Sequence, residues 1–104
     1  MTPPEVGPVD QALVYRRHPE ITLTRFGEEG LLVVPRAALQ AVLNGTATRV
    51  LELVDGARTV GEIADALAAE YDGPSRDELL RDVAEILVDL RGRGAVEPVG
   101  ADAD

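Results

Sequence analysis

The clearest hydrophobic period in the chain runs over residues 43–63. Ala47, Val50, Leu51 and Val54 fall at i, i+3, i+4 and i+7 before Asp55-Gly56 ends the pattern. This spacing predicts a helix from about 45 to 54, capped by Asn44. Thr59 and Glu62 then have the spacing of a capping box, in which the hydroxyl accepts from the third helical N–H and the carboxylate reaches back to the cap's own N–H. A second helix over 60–71 follows, with Val60, Ile63, Ala64, Leu67, Ala68 and Tyr71 on one stripe and Asp72-Gly73-Pro74 as its stop. Ser75 and Glu78 repeat the capping box and open a third helix that continues to Gly92 or Gly94, roughly 27 Å long at 1.5 Å per residue.

Upstream the period changes from helical to alternating. Residues 21–26 alternate Ile, Thr, Leu, Thr, Arg and Phe, which predicts a strand closed by Gly27. Gly27-Glu28-Glu29-Gly30 reads as a hairpin loop, and the unbroken apolar run 31–34, ended by Pro35, as the central strand of a small sheet. Residues 38–43 have helical propensity. Their shortness between Pro35 and Asn44-Gly45 favours a third strand instead. Residues 11–15 fit either a short strand or an arm that packs on a partner, and 95–99 a short strand or packed tail. Arg16-Arg17-His18-Pro19 reads as a solvated loop in preference to an electrostatic contact with an acidic partner. The expected organisation is a disordered or loosely packed arm over 1–12, a folded domain over 13–98 and an acidic disordered tail over 99–104.

The third helix carries more apolar residues than a narrow seam needs. Ile86, Leu79, Leu90, Val83, Leu87 and Leu80 spread over an arc of about 120°. Leu80 and Leu87 form one edge, bordered by Ala84 and Arg91; Ile86 forms the other, bordered by Asp82, Asp89 and Arg93. Either border is able to wall a groove, and the two edge leucines suit a core or a groove equally.

Composition narrows the chemistry. The 104 residues suffice for one domain, and with no cysteine there is no disulfide, thiolate zinc site or thiol nucleophile. All ten basic residues are Arg, set against nineteen acidic ones for a net charge of −9, a balance that repels nucleic acid. One His (His18), one Ser (Ser75) and one Asn (Asn44) leave no Ser-His-Asp site to assemble, and Ser75 and Asn44 already serve as caps. His18 has no second imidazole with which to hold a metal. The carboxylates are scattered over polar helix faces. No enzyme activity, metal or cofactor is expected. With no membrane-length apolar run and no signal-peptide pattern, the expected location is the cytoplasm.

Three strands followed by three helices give an α+β class and the plan of a winged helix-turn-helix domain. The run Leu43-Asn44-x-Thr46-Ala47-x-x-Val50-Leu51-Glu52-Leu53-x-Asp55-Gly56-x-Arg58-Thr59-Val60-x-Glu62-Ile63 resembles the core signature of the PqqD family. The similarity continues through Leu67, Tyr71, Asp82-Val83, Ile86-Leu87, Leu90 and Gly94, and so spans roughly residues 21–97. Val54 stands where family members often have Cys, a conservative packing change. The resemblance implies a non-catalytic recognition element that holds the leader of a ribosomally made precursor peptide and presents it to a modifying enzyme, of the radical S-adenosylmethionine type or another maturase. It also implies binding by strand addition to the third strand, with apolar side chains laid against the third helix. Mapped onto this chain, the pairing edge is Leu39, Gln40, Ala41 and Val42, and the wall is Leu80, Ala84, Leu87 and Arg91.

Two other classes compete. A winged-helix DNA-binding regulator needs basic side chains on its recognition helix. The second helix instead carries Glu62, Asp65 and Glu70, with no basic residue between Val60 and Tyr71. An acidic dimerisation module would use the apolar segment 13–15 and an open sheet edge, and a homodimer is compatible with peptide binding.

Overall fold

The structure, a computed structural model, describes residues 10–99. The outer parts of the expected arm and tail, residues 1–9 and 100–104, lie outside the described residues. In chain order the elements are β1 (Tyr15–Arg17), β2 (Thr22–Phe26), β3 (Glu29–Val34), a 3-10 turn (Pro35–Ala37), β4 (Leu39–Leu43), α1 (Gly45–Leu53), α2 (Val60–Glu70), α3 (Arg76–Gly92) and β5 (Val96–Pro98). The three-stranded antiparallel sheet has the order β2-β3-β4, so the apolar run 31–34 is in the central strand as expected.

The β2–β3 loop is tighter than the sequence suggested. Phe26 pairs with Glu29 and Arg25 with Gly30, which leaves only Gly27-Glu28 between the strands. Gly27 has φ +63°, the first-position geometry of a two-residue hairpin turn that matches the twist of its strands. Pairing places Leu23, Leu32 and Ala41 on one face of the sheet, and Leu31 and Val42 on the other. Leu32, Val34 and Leu43 are buried beneath the helices, whereas Leu31 and Val33 are only half-buried on the outer face.

Gly30 lets α1 approach the sheet. A Cβ there would stand 2.9 Å from both Leu23 Cδ1 and Thr48 Cγ2. Thr48 is the one fully buried polar side chain among the described residues, and its hydroxyl donates to the Leu43 carbonyl at 3.2 Å. Thr48→Val keeps the shape and removes this bond. Its expected cost is about 1 kcal/mol, read as a fall in melting temperature of about 4–8 °C for a domain of this size; an unchanged melt would show that the bond contributes nothing.

The helices form where their caps predicted. Asn44 Oδ1 accepts from Ala47 N at 2.8 Å, and both capping boxes are complete. The link between α1 and α2 is fixed by Asp55, whose carboxylate accepts from Ala57 N at 2.9 Å and Arg58 N at 2.8 Å. The core joins Val50, Leu51, Ile63, Leu67, Leu79, Val83, Leu87 and Leu90 to Leu32 of the sheet. Within it α3 packs chiefly on α2, with smaller contacts to α1 and β5, while β4 rests on α1.

The Arg16-Arg17-His18 segment is not a solvated loop. Arg16 and Arg17 lie in β1, which pairs antiparallel with β5; the strand option over 95–99 is realised, whereas of residues 11–15 only Tyr15 enters β1. Arg17 donates through Nε and Nη2 to the Leu51 carbonyl at 3.1 and 2.9 Å, bringing a cation to the last turn of α1, which has no basic residue of its own. Its polar sequence hid this role, because the partner is a main-chain carbonyl 34 residues away. Tyr15, offered to a second subunit in the dimerisation reading, is buried in this chain's own core.

The segment before β1 is bonded to the start of α2 through its main chain. Val60 N donates to Leu13 O at 2.8 Å and Gly61 N to Gln11 O at 3.0 Å. With Thr59 accepting from Glu62 N, the first three N–H groups of α2 are all occupied.

Several of these contacts make stability acid-sensitive. Hydrogen bonds from Ser75, its backbone first, hold the Glu78 carboxyl below the ordinary value of 4.5. The Arg58 and Ala57 N–H groups do the same for Asp55, and the Arg49 side chain for Glu70. A carboxyl whose folded pKa is lowered stabilises the fold above its ordinary value and loses that contribution as pH falls through the lowered one. The urea midpoint is therefore expected to be flat above about pH 5 and to fall below about pH 4. Glu78→Gln should make the fall shallower; an identical slope would assign the acid sensitivity to other groups.

Candidate functional site

The 3-10 turn that precedes β4 ends at Ala38, whose φ is +50°. A left-handed non-glycine residue of this kind costs on the order of 1–3 kcal/mol and persists where its surroundings enforce it. Here Pro35 starts the turn, Ala38 N donates to Pro35 O at 3.0 Å, and the reversal delivers the chain into register with β3, Leu39 opposite Val34.

β4 pairs on one side only. Its other side is a free edge among the described residues, presenting unpaired N–H and C=O groups. Of the expected pairing residues, Leu39 and Ala41 are half-buried and point toward the helices, while Gln40 and Val42 are exposed on the outer face.

The helical side of the site is corrected by the structure. Leu80 and Leu87, expected to wall the groove, belong to the core, with Leu87 at 0% exposure. Helical spacing fixes the apolar arc but not how far the neighbouring helices cover it. Ala84 is half-buried and Arg91 exposed, and one turn beyond Ala84 stands Val88, 65% exposed. The sequence reading passed over Val88 because it lies outside the arc; its signal was an apolar residue one turn from Ala84 on the Arg91 side. The accessible border of α3 is thus Ala84, Val88 and Arg91.

Arg91 brings the C-terminal end of this border to the turn that precedes β4. It lines a pocket of about 730 Å³ together with Val34, Arg36 and Ala37, which lead directly into β4. Asp82, Asp89 and Arg93, on the opposite border, do not line it. Among the described residues no group of His and carboxylate side chains is arranged to hold a metal, and no helix is long and apolar enough to cross a membrane.

The α2 surface is unsuited to reading DNA. Glu62, Asp65 and Glu70 are exposed along it, and its N-terminal N–H groups are taken up by the segment before β1. What remains is a small winged-helix domain of the α+β class whose accessible features are the edge of β4 and the Ala84, Val88 and Arg91 border of α3.

The model of the family described as coenzyme PQQ synthesis protein D (PqqD) matches residues 33–96. A protein named PqqA binding protein from Bradyrhizobium diazoefficiens is 35% identical over 81 residues, which cover 78% of this chain and 76% of that protein. The chain belongs to the PqqD family.

Solved structures agree with the fold. The PqqD truncation of Methylobacterium extorquens PqqCD, described as a stand-alone RiPP recognition element, superposes with a TM-score of 0.66 at 31% identity, covering 81% of this chain and 88% of that one. A lasso peptide synthetase B1 complexed with its leader peptide gives a TM-score of 0.69 at 25% identity, covering 81% and 98%.

Proposed function

We propose that this protein recognises the leader of a ribosomally synthesised precursor peptide and presents it to a modifying enzyme. The leader adds as a strand to the free edge of β4 over Leu39, Gln40, Ala41 and Val42. It lays side chains against Ala84, Val88 and Arg91 of α3, with Leu80 and Leu87 supporting that border from the core. The observation that carries this reading is the unpaired edge of β4, entered through a constrained turn that shares a pocket with Arg91 of α3. Edge N–H and C=O groups supply affinity that is independent of sequence, and the side-chain contacts beside them select the peptide. The naming of the Bradyrhizobium relative for PqqA binding and the leader-bound synthetase structure support the same reading.

The protein itself performs no chemistry in this scheme. Its partner is a peptide-modifying enzyme, a radical S-adenosylmethionine protein or another maturase. A useful presenter needs micromolar affinity, about −8 kcal/mol. Hydrogen exchange tests the mode, with a precursor leader peptide as ligand. The amides of β4 are expected to gain protection on binding while those of β2, at the opposite edge, do not. Protection confined to β2 or α2 would reject strand addition at β4.

A further inference from the structure

The pocket at the start of β4 is basic in a chain whose net charge is −9. Arg16, Arg36 and Arg91 surround it, with Glu97 as its one carboxylate, and Val34, Val96 and Pro98 supply apolar lining. Arg16 is ion-paired to Glu97 at 2.7 Å. Arg36 and Arg91 have no carboxylate partner among the described residues, a state they share with Arg17, which is bound to the Leu51 carbonyl, and with Arg81, whereas Arg25, Arg49, Arg58, Arg76 and Arg93 are each paired with one. Arg36 instead meets Nε2 of His18, on which a guanidinium can only donate.

We infer that this pocket binds a carboxylate side chain of the peptide, an acidic residue that flanks the segment paired with β4. Two guanidiniums with no carboxylate partner among the described residues offer the forked donors that match a carboxylate in two-point fashion. The apolar lining suits the methylene stem of Glu and its neighbours, and a volume of about 730 Å³ is far larger than a small free anion requires. Position supplies the peptide. Arg36 is three residues before Leu39, at most about 10 Å along the chain, so a strand lying on β4 reaches the pocket within two or three residues of its end. The inference rests on the reading of β4 as the peptide edge, but it names a separate point of recognition, one that selects charge where the edge selects none.

The test uses a probe too short to pair along β4. Isotope-labelled protein is titrated with acetyl-Glu-Glu-Glu-amide, acetyl-Gln-Gln-Gln-amide and inorganic phosphate at low salt, following the Arg Nε–H and backbone amide resonances. The acidic tripeptide is expected to shift Arg36, Arg91 and Gly94, which also lines the pocket, saturably, and the neutral one to shift none of them. Arg36→Gln should weaken the acidic tripeptide tenfold or more, while Arg81→Gln, on α3 outside the pocket, should leave it unchanged. Equal shifts with both tripeptides would overturn the inference, as would phosphate binding as tightly as the acidic peptide, which would assign the pocket to a free anion. The two readings fail separately. Leader-dependent protection of β4 with a silent pocket rejects this inference alone; a responsive pocket with an unprotected β4 rejects strand addition alone.

Discussion

Leu87→Asp is expected to unfold the domain. Leu87 has no exposed surface and sits in the cluster that joins α3 to the rest of the core. Asp at this position removes a buried side chain and forces a carboxylate either into an apolar interior or out through a disrupted packing layer. Losses of about 4 kcal/mol or more come from this class of change, against a total stability of about 5–15 kcal/mol for a typical domain. The expected signs are a collapsed helical circular dichroism signal and no cooperative melt. A variant that melted within a few degrees of the parent would show that Leu87 faces an open cleft after all, as its place at the edge of the helical arc allowed.

The second large effect is on binding and leaves the fold intact. Val88 is 65% exposed and Ala84 half-buried on the same border, so Val88→Asp and Ala84→Glu cost the fold little. Each places a desolvated charge against the bound leader and removes the apolar surface on which it rests. Calorimetric titration with the precursor peptide is expected to show affinity lower by about ten- to thirtyfold in each, about 1.4–2 kcal/mol. Unchanged affinity in both variants, with melts like the parent's, would move the peptide off this face of α3. The contrast between Val88 and Leu87, one position apart, separates the surface that a ligand touches from the core that holds the surface in place.

The helices were legible because each announces itself twice, through an apolar period and through a cap. Thr59 with Glu62 and Ser75 with Glu78 give the starts of α2 and α3 to the residue. β4 was legible only from its punctuation, since Leu-Gln-Ala-Val-Leu has no strong strand preference of its own; Pro35 and Asn44 leave it too short to be a helix. The left-handed Ala38 that makes the reversal possible has no sequence signal, because alanine ordinarily avoids that conformation. The pairing of β1 with β5 was hidden for a different reason. Its two strands are three residues each, polar in part and about 80 residues apart, and their register depends on a core that must assemble first. The site was half legible. The edge strand and the Ala84–Arg91 border followed from the family pattern and helical spacing. The exposure of Val88 and the placing of Arg36 and Arg91 around one pocket depend on how the elements pack, which a single-helix projection does not contain.

The β1–β5 pair also settles where anything attached to this domain must begin. Val99 N donates to Val14 O at 2.8 Å, so the chain enters and leaves side by side. An enzyme tethered on the C-terminal side would start its linker at Val99 and one on the N-terminal side at Gln11, at most about 10 Å along the chain from Val14, so linkers of equal length would sweep overlapping volumes. The local concentration of a tethered maturase around the held peptide is then governed by linker length and stiffness, with little dependence on which end carries it.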